Sequence, residues 1–370
     1  MKVLFDVAEL APSMGKSMGI YNYARRLLEH MPGLLPDGWE LHVACNAGGQ
    51  KDFAVQHGKV HVHRVLEQLQ PGMVARQLWM RWGAQALARK IGAEIYFTPK
   101  GFLPGWFGKP MGVTSVAVLH DLIPLWYAKH HPHQFSWMEK LIVNGGLLRT
   151  ARSADQLVLI SKATADDVMA VVSRDPGTMA VVHNGVPLVS ARGEPPRAGP
   201  YVFAMASALP HKNLPGLLVA YECYRTLVAD PLPLVVCGVA DPRMPGVEVV
   251  SGLDDQTLHT FYAHAEAFVF LSFVEGFGFP PLEALSHGTP VVCSDVPALR
   301  EVTQGRAVLV PPDDAMAAAR ALAKVLSGPR RTKTHRDRLL PVQDTGYSWD
   351  RCAEGVVAVL KRAALVAPRA

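Results

Sequence analysis

The sequence predicts an α/β protein made of two doubly wound, parallel-sheet domains that face each other across a cleft. Short apolar runs rich in Val, Ile and Phe alternate with longer helical patterns, as parallel sheets covered by helices require. The pattern breaks at Ala191-Arg-Gly-Glu-Pro-Pro-Arg-Ala-Gly-Pro200 and then begins again, so this Pro- and Gly-rich stretch reads as a linker. The chain has 370 residues, more than the ~250–300 at which one core stops growing.

In order, the first half offers strands at 2–7, 40–45, 60–65, 94–98, 114–119, 156–160 and 179–183. Each is a short β-branched or aromatic run with turn residues at its ends. Helical periodicity falls at 19–30, 73–91, 135–152 and 162–172. Segment 73–91 carries two stripes. Met73, Met80, Ala84, Leu87 and Ile91 form a core face. Val74, Leu78 and Trp82 form a second, flanked by Arg81 and Arg89. Tryptophan beside arginine suggests a membrane-interfacial helix, and domain packing with snorkelling arginines fits somewhat better. Leu103-Pro-Gly-Trp-Phe-Gly-Lys109 adds an aromatic cluster. Strands resume at Tyr201-Val-Phe-Ala-Met-Ala, Leu234-Val-Val-Cys-Gly, Val247-Glu-Val-Val, Ala267-Phe-Val-Phe-Leu, Pro290-Val-Val-Cys and Ala307-Val-Leu-Val. A last helix at about 350–364 has nothing obvious to cover in the second sheet and is expected to return to the first. The domains are therefore read as 1–190, 201–348 after the linker 191–200, and a crossover segment 349–370.

Composition narrows the function. No run reaches the ~18 apolar residues of a spanning helix. The start, Met1-Lys-Val-Leu-Phe-Asp, places an acid too early for a signal peptide, so a cytoplasmic location is expected. The five cysteines, at 45, 223, 237, 293 and 352, form no Cys-x-x-Cys pair, which argues against disulfides or a cysteine zinc site. Net charge is +5, and its whole excess lies early: residues 1–190 hold 19 Lys/Arg against 14 Asp/Glu. A basic first domain points to an anionic partner, a lipid surface or lipid-linked phosphate. Nucleic acid is not expected, because no basic-aromatic motif appears. Nor is a metal: there is no Asp-x-Asp, and Asp254-Asp255 and Asp313-Asp314 look like helix starts.

The richest motif is Ser272-Phe-Val-Glu-Gly-Phe-Gly-Phe-Pro-Pro-Leu-Glu-Ala-Leu-Ser-His-Gly. Glu275 sits on a loop and Glu283 on the helix it enters, with Pro280 and Pro281 in the first turn. Glutamates near a helix start are common. The intervening Gly276-Phe277-Gly278-Phe279 is not, because nothing about core packing is expected to require two glycines there. Its amides would stand at the positive end of a helix, suited to a phosphate. Carboxylates beside an anion site suggest a ligand with hydroxyls and phosphates, such as a nucleotide sugar. Lys212, in His211-Lys-Asn-Leu, follows a strand and precedes a helix, so it is placed to meet a pyrophosphate. His120 ends the strand Ser115–Leu119, where ligand contact and core packing weigh equally. Ser13-Met-Gly-Lys-Ser-Met-Gly19 puts two glycines before a helix, permitting close backbone approach.

Together these stretches resemble the family 4 glycosyltransferases, retaining enzymes of the two-Rossmann GT-B fold. The Glu-x7-Glu element is Glu275 to Glu283. Gly19-Ile-Tyr-Asn-Tyr, Val118-Leu-His-Asp-Leu-Ile-Pro, Ile160-Ser-Lys-Ala-Thr, Val182-His-Asn-Gly-Val, His211-Lys-Asn-Leu, Val291-Val-Cys-Ser-Asp-Val-Pro-Ala-Leu-Arg-Glu-Val and Leu309-Val-Pro-Pro-Asp-Asp fall in the expected order. The resemblance implies roles. Glu275 would bind donor-sugar hydroxyls and Glu283 the ribose. Lys212 and the amides of 276–279 would neutralise the diphosphate. His120 would contact the sugar near its 6-position, and Gly19 would let the first loop lie against the ligand. The family needs no metal and no cofactor beyond its nucleotide-sugar substrate. Two departures stand out: His211 replaces an arginine common before the lysine, and Tyr21-Asn22 replaces a Gly-Arg pair in the first loop.

The implied reaction moves a hexose from a nucleoside diphosphate to an acceptor hydroxyl with retention. No carboxylate is evident for a double displacement, so a front-face path is expected. GDP-mannose is the first donor to consider, with UDP- and dTDP-sugars behind it. The acceptor would be a glycan or a polyprenyl-diphosphate-linked glycan, handled at the inner membrane face, or else a soluble molecule. A sugar-nucleotide epimerase of the same fold is the rival. A dehydrogenase would want a Gly-x-Gly-x-x-Gly after the first strand, which is missing.

Overall fold

The structure, a computed structural model, describes residues 1–12, 18–68, 71–104, 112–187, 194, 196–328 and 344–366. The loop 13–17, the aromatic residues 105–109 and most of the early linker lie outside the described residues. Two compact units divide the chain: Met1–Gly185 with Tyr347–Ala370, and Val186–Gly346.

The first unit is built on a parallel sheet of β1 (Lys2–Asp6), β2 (Glu40–Asn46), β3 (Val60–Leu66), β4 (Ile95–Thr98), β5 (Thr114–Leu119), β6 (Gln156–Leu159) and β7 (Met179–Val181), in the order β3-β2-β1-β4-β5-β6-β7. The helices are α1 (Met18–His30), α2 (Gln50–Phe53), α3 (Met73–Leu78), α4 (Ala84–Ile91), α5 (Ile123–His130), α6 (Trp137–Ser153) and α7 (Lys162–Val171). Strands β4, β5 and β6 are buried along their whole length, which is why they read as unbroken apolar runs. Helix α6 starts at a capping box: the Ser136 hydroxyl accepts from the Glu139 amide, and the Glu139 side chain accepts from the Ser136 amide.

The single helix expected at 73–91 is interrupted. A π-helical turn, Trp79–Gly83, separates α3 from α4. The cause lies at the end of β1. Asp6 is fully buried and must be given donors. The Trp79 indole donates to both its oxygens at 3.0 Å, and the Tyr96 hydroxyl donates at 2.5 Å. The wide turn sends Trp79 inward, while Val74, Leu78 and Trp82 stay 70%, 51% and 54% exposed. The packed-interface reading of that second stripe is therefore corrected: the stripe faces outward. Helix α5 was not anticipated. It begins at a proline in the first turn, but its apolar Ile-Pro-Leu-Trp-Tyr-Ala run carries no clear period.

The second unit repeats the plan with β8 (Val202–Met205), β9 (Leu234–Cys237), β10 (Val247–Val250), β11 (Ala267–Phe270), β12 (Val291–Ser294) and β13 (Val308–Val310), ordered β10-β9-β8-β11-β12-β13. Helices α8 (Leu214–Leu227), α9 (Asp255–His264), α10 (Phe279–Ser286), α11 (Pro297–Thr303) and α12 (Ala315–Leu326) cover it. One core holds Leu217 and Tyr221 of α8 with Leu322 of α12. The other holds Phe261 and Tyr262 of α9 with Leu285 of α10 and Leu299 of α11.

The last helix, α13 (Trp349–Val366), belongs to the first unit. Trp349 meets the Tyr23 ring at 5.8 Å, and Asp350 Oδ1 lies 2.7 Å from His30 Nδ1. Among the described residues, no helix is long and apolar enough to cross a membrane.

Candidate donor site at the β8–β11 switch

In the second sheet, β8 has β9 on one side and β11 on the other. Connections leave these two neighbouring strands in opposite directions, and the split at their carboxyl ends is where ligands bind in open α/β sheets. Lys212 ends the 3-10 turn Pro210–Lys212 after β8. Glu275 stands on the loop after β11. Adjacent strands thus bring together residues 63 positions apart: Lys212 Nζ donates to Glu275 Oε1 at 2.7 Å. The Lys212 side chain is 24% exposed and that of Glu275 9%, so the cation keeps an open side. The ammonium also lies 5.2 Å from the Phe270 ring centre.

Glu283 sits on α10. Its Oε2 accepts from the Tyr262 hydroxyl at 2.9 Å, and the same hydroxyl lies 2.8 Å from Met205 Sδ at the end of β8. Burial, with a smaller push from Asp255, raises the Glu283 carboxyl to about 7, against the opposing pull of the Tyr262 hydrogen bond. Near neutral pH this group stands between acid and carboxylate. It can accept from a hydroxyl pair when ionised and donate one hydrogen bond when not.

The loop between them differs from expectation in one respect. Gly278 has φ 116°, and a Cβ there would lie 2.4 Å from Leu299 Cδ2. Core packing against α11 therefore does require this glycine. Phe277 is buried against Phe279, ring centres 5.2 Å apart, so the two phenylalanines anchor the loop. Gly276 is buried too. The amides of Gly278 and Phe279 lead into α10, whose next two residues, Pro280 and Pro281, have no N–H.

A family model described as Glycosyltransferase Family 4 matches residues 19–189, and one described as Glycosyl transferases group 1 matches residues 189–339. The chain belongs to glycosyltransferase family 4. It is 26% identical over 218 residues to the O-antigen chain mannosyltransferase RfbU of Salmonella typhimurium, covering 55% of this chain and 59% of that protein. It is 30% identical over 231 residues to an MMP alpha-(1->4)-mannosyltransferase of Mycolicibacterium hassiacum, covering 58% and 56%. These alignments span little more than half of those relatives. Among solved structures, the sucrose-phosphate synthase of Thermosynechococcus elongatus superposes with a TM-score of 0.70 at 18% identity, over 99% of this chain and all of that one. That likeness establishes the GT-B fold of this family member.

Within the family pattern, His211 is the notable departure. It is 6% exposed, its carbonyl accepts from the Phe273 amide at 2.8 Å, and burial next to Lys212 drives its pKa to about 4. At neutral pH it is uncharged and does not stand in for the arginine.

His120 belongs to the first unit, at the end of β5. Its Nε2 lies 2.7 Å from the Pro99 carbonyl, which can only accept, so Nε2 carries the proton. Burial lowers its pKa to about 4. Its one N–H is thus committed to backbone. In this geometry His120 has no N–H left to donate to a ligand, and only Nδ1 remains as an acceptor. Gly19 opens α1, and a Cβ built on it meets nothing within 4 Å. Arg81 lies over the Trp82 ring at 4.7 Å, and Arg89 is exposed on α4.

Two residues escaped the sequence reading. Lys100, 5% exposed, pairs with Glu9 at 2.6 Å, just past the carboxyl ends of β4 and β1, where the first sheet's own order reverses. A lysine directly after Phe97-Thr-Pro was the available signal.

Proposed function

We propose that this protein is a retaining, metal-independent hexosyltransferase that moves mannose from GDP-mannose to a hydroxyl of a glycan precursor. The observation that carries the reading is the Lys212–Glu275 pair at the β8–β11 switch point. A donor diphosphate takes Lys212 as its counter-ion. Glu275, released from the lysine, turns to the sugar hydroxyls. Glu283 holds the ribose diol, and the neutral His120 contacts the sugar near its 6-position, as the family pattern assigns. The bond from the anomeric carbon to the diphosphate breaks as the acceptor oxygen attacks from the same face. The leaving phosphate takes the acceptor's proton. Catalysis then rests on orientation and on stabilising the departing charge. The mannosyl assignment is supported by the relatives that are named mannosyltransferases.

The outward stripe of Val74, Leu78 and Trp82, with Arg81 over the indole, favours an acceptor held at an anionic membrane surface, such as a polyprenyl-diphosphate-linked glycan. Apolar side chains rimmed by cations suit that interface.

The test screens GDP-mannose, UDP- and dTDP-sugars by thermal shift, where a specific ligand raises Tm by mass action. The anomeric configuration of the product is then read by NMR. GDP-mannose should give the largest shift and an α-linked product. No shift with any nucleotide sugar, or an inverted product, would overturn the reading.

A further inference from the structure

The outer edge of the first sheet carries nitrogen and carboxylate donors that glycosyl transfer does not use. Glu40 and His42 are two residues apart on β2 and share a face. His61 of β3 pairs directly with His42 across the parallel ladder, and His63 follows on the same face. One ligand atom each from Glu40, His42 and His61 lies within 4.8 Å of the other two. His42 Nε2 is 3.1 Å from Glu40 Oε2, and His42 Nδ1 is 3.0 Å from His63 Nε2. The rings of His61 and His63 stack on His42 at 4.9 and 5.2 Å.

Packing alone gives no reason for this set. The neighbouring position on the same face of β2 is Ala44, and apolar residues would fill the space at less desolvation cost. His42 is only 7% exposed, so its ring is held in place between Glu40 and His63.

We propose that Glu40, His42 and His61 form a cross-strand binding site for a borderline divalent transition metal, with Zn²⁺ as its type, and that His63 is the positioning residue for His42. The metal takes Nε2 of His42, the nitrogen already facing Glu40. Nδ1–H then donates to His63 Nε2, the outer hydrogen bond that metal-bound histidines usually make. Zinc bonds of about 2.0–2.2 Å place tetrahedral donors about 3.4 Å apart. The side chains of Glu40 and His61 have the exposure to close that gap. The fourth position opens to water. Imidazole-rich sets select zinc, nickel, cobalt and copper over magnesium and calcium, which prefer oxygen. Lys2 Nζ, 3.8 Å from Glu40 Oε2, and Lys90 of α4, whose charge reaches His63, oppose a dication and hold the affinity down. A metal here would clip edge strand β3 to β2, remote in sequence from every donor-site residue.

The experiment titrates Zn²⁺ calorimetrically into tag-free protein stripped with chelator, and follows Co²⁺ by its visible absorption. Wild type should bind one Zn²⁺ and gain Tm. His61→Ala and Glu40→Gln, both at solvent-accessible positions, should each weaken binding at least about tenfold, as should His63→Gln. Transfer by His61→Ala should match wild type. Zinc binding unchanged in both ligand variants would place the metal on other histidines and overturn the site. So would the absence of any heat or Tm shift at about 1 mM metal, or equal binding of Mg²⁺.

Discussion

Lys212→Ala and Glu275→Gln should move nucleoside diphosphate affinity in opposite directions. The two side chains hold each other at 2.7 Å, so a diphosphate that pairs with the ammonium competes with Glu275 for it. Removing the lysine deletes a charge-assisted contact worth about 1.5–3 kcal/mol, a loss of about 10- to 150-fold in Kd. Neutralising Glu275 removes the competitor. The pair is partly solvated, the lysine 24% exposed, so the gain is bounded by about 1 kcal/mol, or fivefold. Transfer should nonetheless fall in both, because Glu275 is assigned to the sugar. Calorimetric titration of GDP and UDP into the three proteins measures the binding terms, and circular dichroism checks the fold. If Lys212→Ala binds every nucleotide as wild type does, the lysine is outside the site. If Glu275→Gln weakens GDP as much as Lys212→Ala does, the competition argument is wrong and the pair acts as one structural unit.

Four further outcomes are expected. Gly19→Ala should leave Tm unchanged or raise it, since its Cβ meets open space and alanine gains up to about 1 kcal/mol over glycine in a helix; kcat/KM should still drop if backbone approaches the donor, and unchanged kinetics would remove Gly19 from the site. The Glu283 carboxyl binds its proton more tightly folded (about 7) than unfolded (4.5), so its contribution to stability falls as pH rises from about 4.5 through 7, while ribose binding strengthens over the upper part of that range; Glu283→Gln should flatten both profiles in pH-resolved melting and titration. Transfer should survive excess EDTA, and activity lost to chelator and restored by Mn²⁺ would contradict the metal-independent route. Wild type should sediment with anionic vesicles at low salt and be released by Arg81→Glu with Arg89→Glu; protein left in the supernatant would remove the membrane reading.

The strands were legible because most are short apolar runs between longer helical patterns. The expected 40–45 is Glu40–Asn46 and the expected 267–271 is Ala267–Phe270. The break in the helix at 73–91 was not legible. It depends on Asp6, 73 positions from Trp79 in sequence, and no helical period encodes a distant buried carboxylate. The same limit hid the Glu40–His42–His61 set. Its two alternating pieces were in view, but only the β2–β3 register brings them together. Gly278 was read as functional alone because Leu299, its packing partner, comes from another helix.

The candidate donor site shows how far residue types carry and where environment takes over. Lys212 and Glu275 could be placed at a switch point from strand endings alone. A histidine at 211 in place of the family's arginine would, if exposed, make diphosphate affinity follow an imidazole's titration near neutrality. Burial prevents that. His211 has a pKa of about 4, so it stays neutral across the physiological range and contributes no switchable charge. The group that titrates near 7 is instead Glu283, buried beside Tyr262. Any pH dependence of donor binding near neutrality should therefore track the ribose side of the ligand and vanish in Glu283→Gln, while His211→Gln leaves it in place. A profile that instead collapses in His211→Gln would mean that the bound diphosphate itself recharges the imidazole. In that case the histidine would be the arginine's substitute after all.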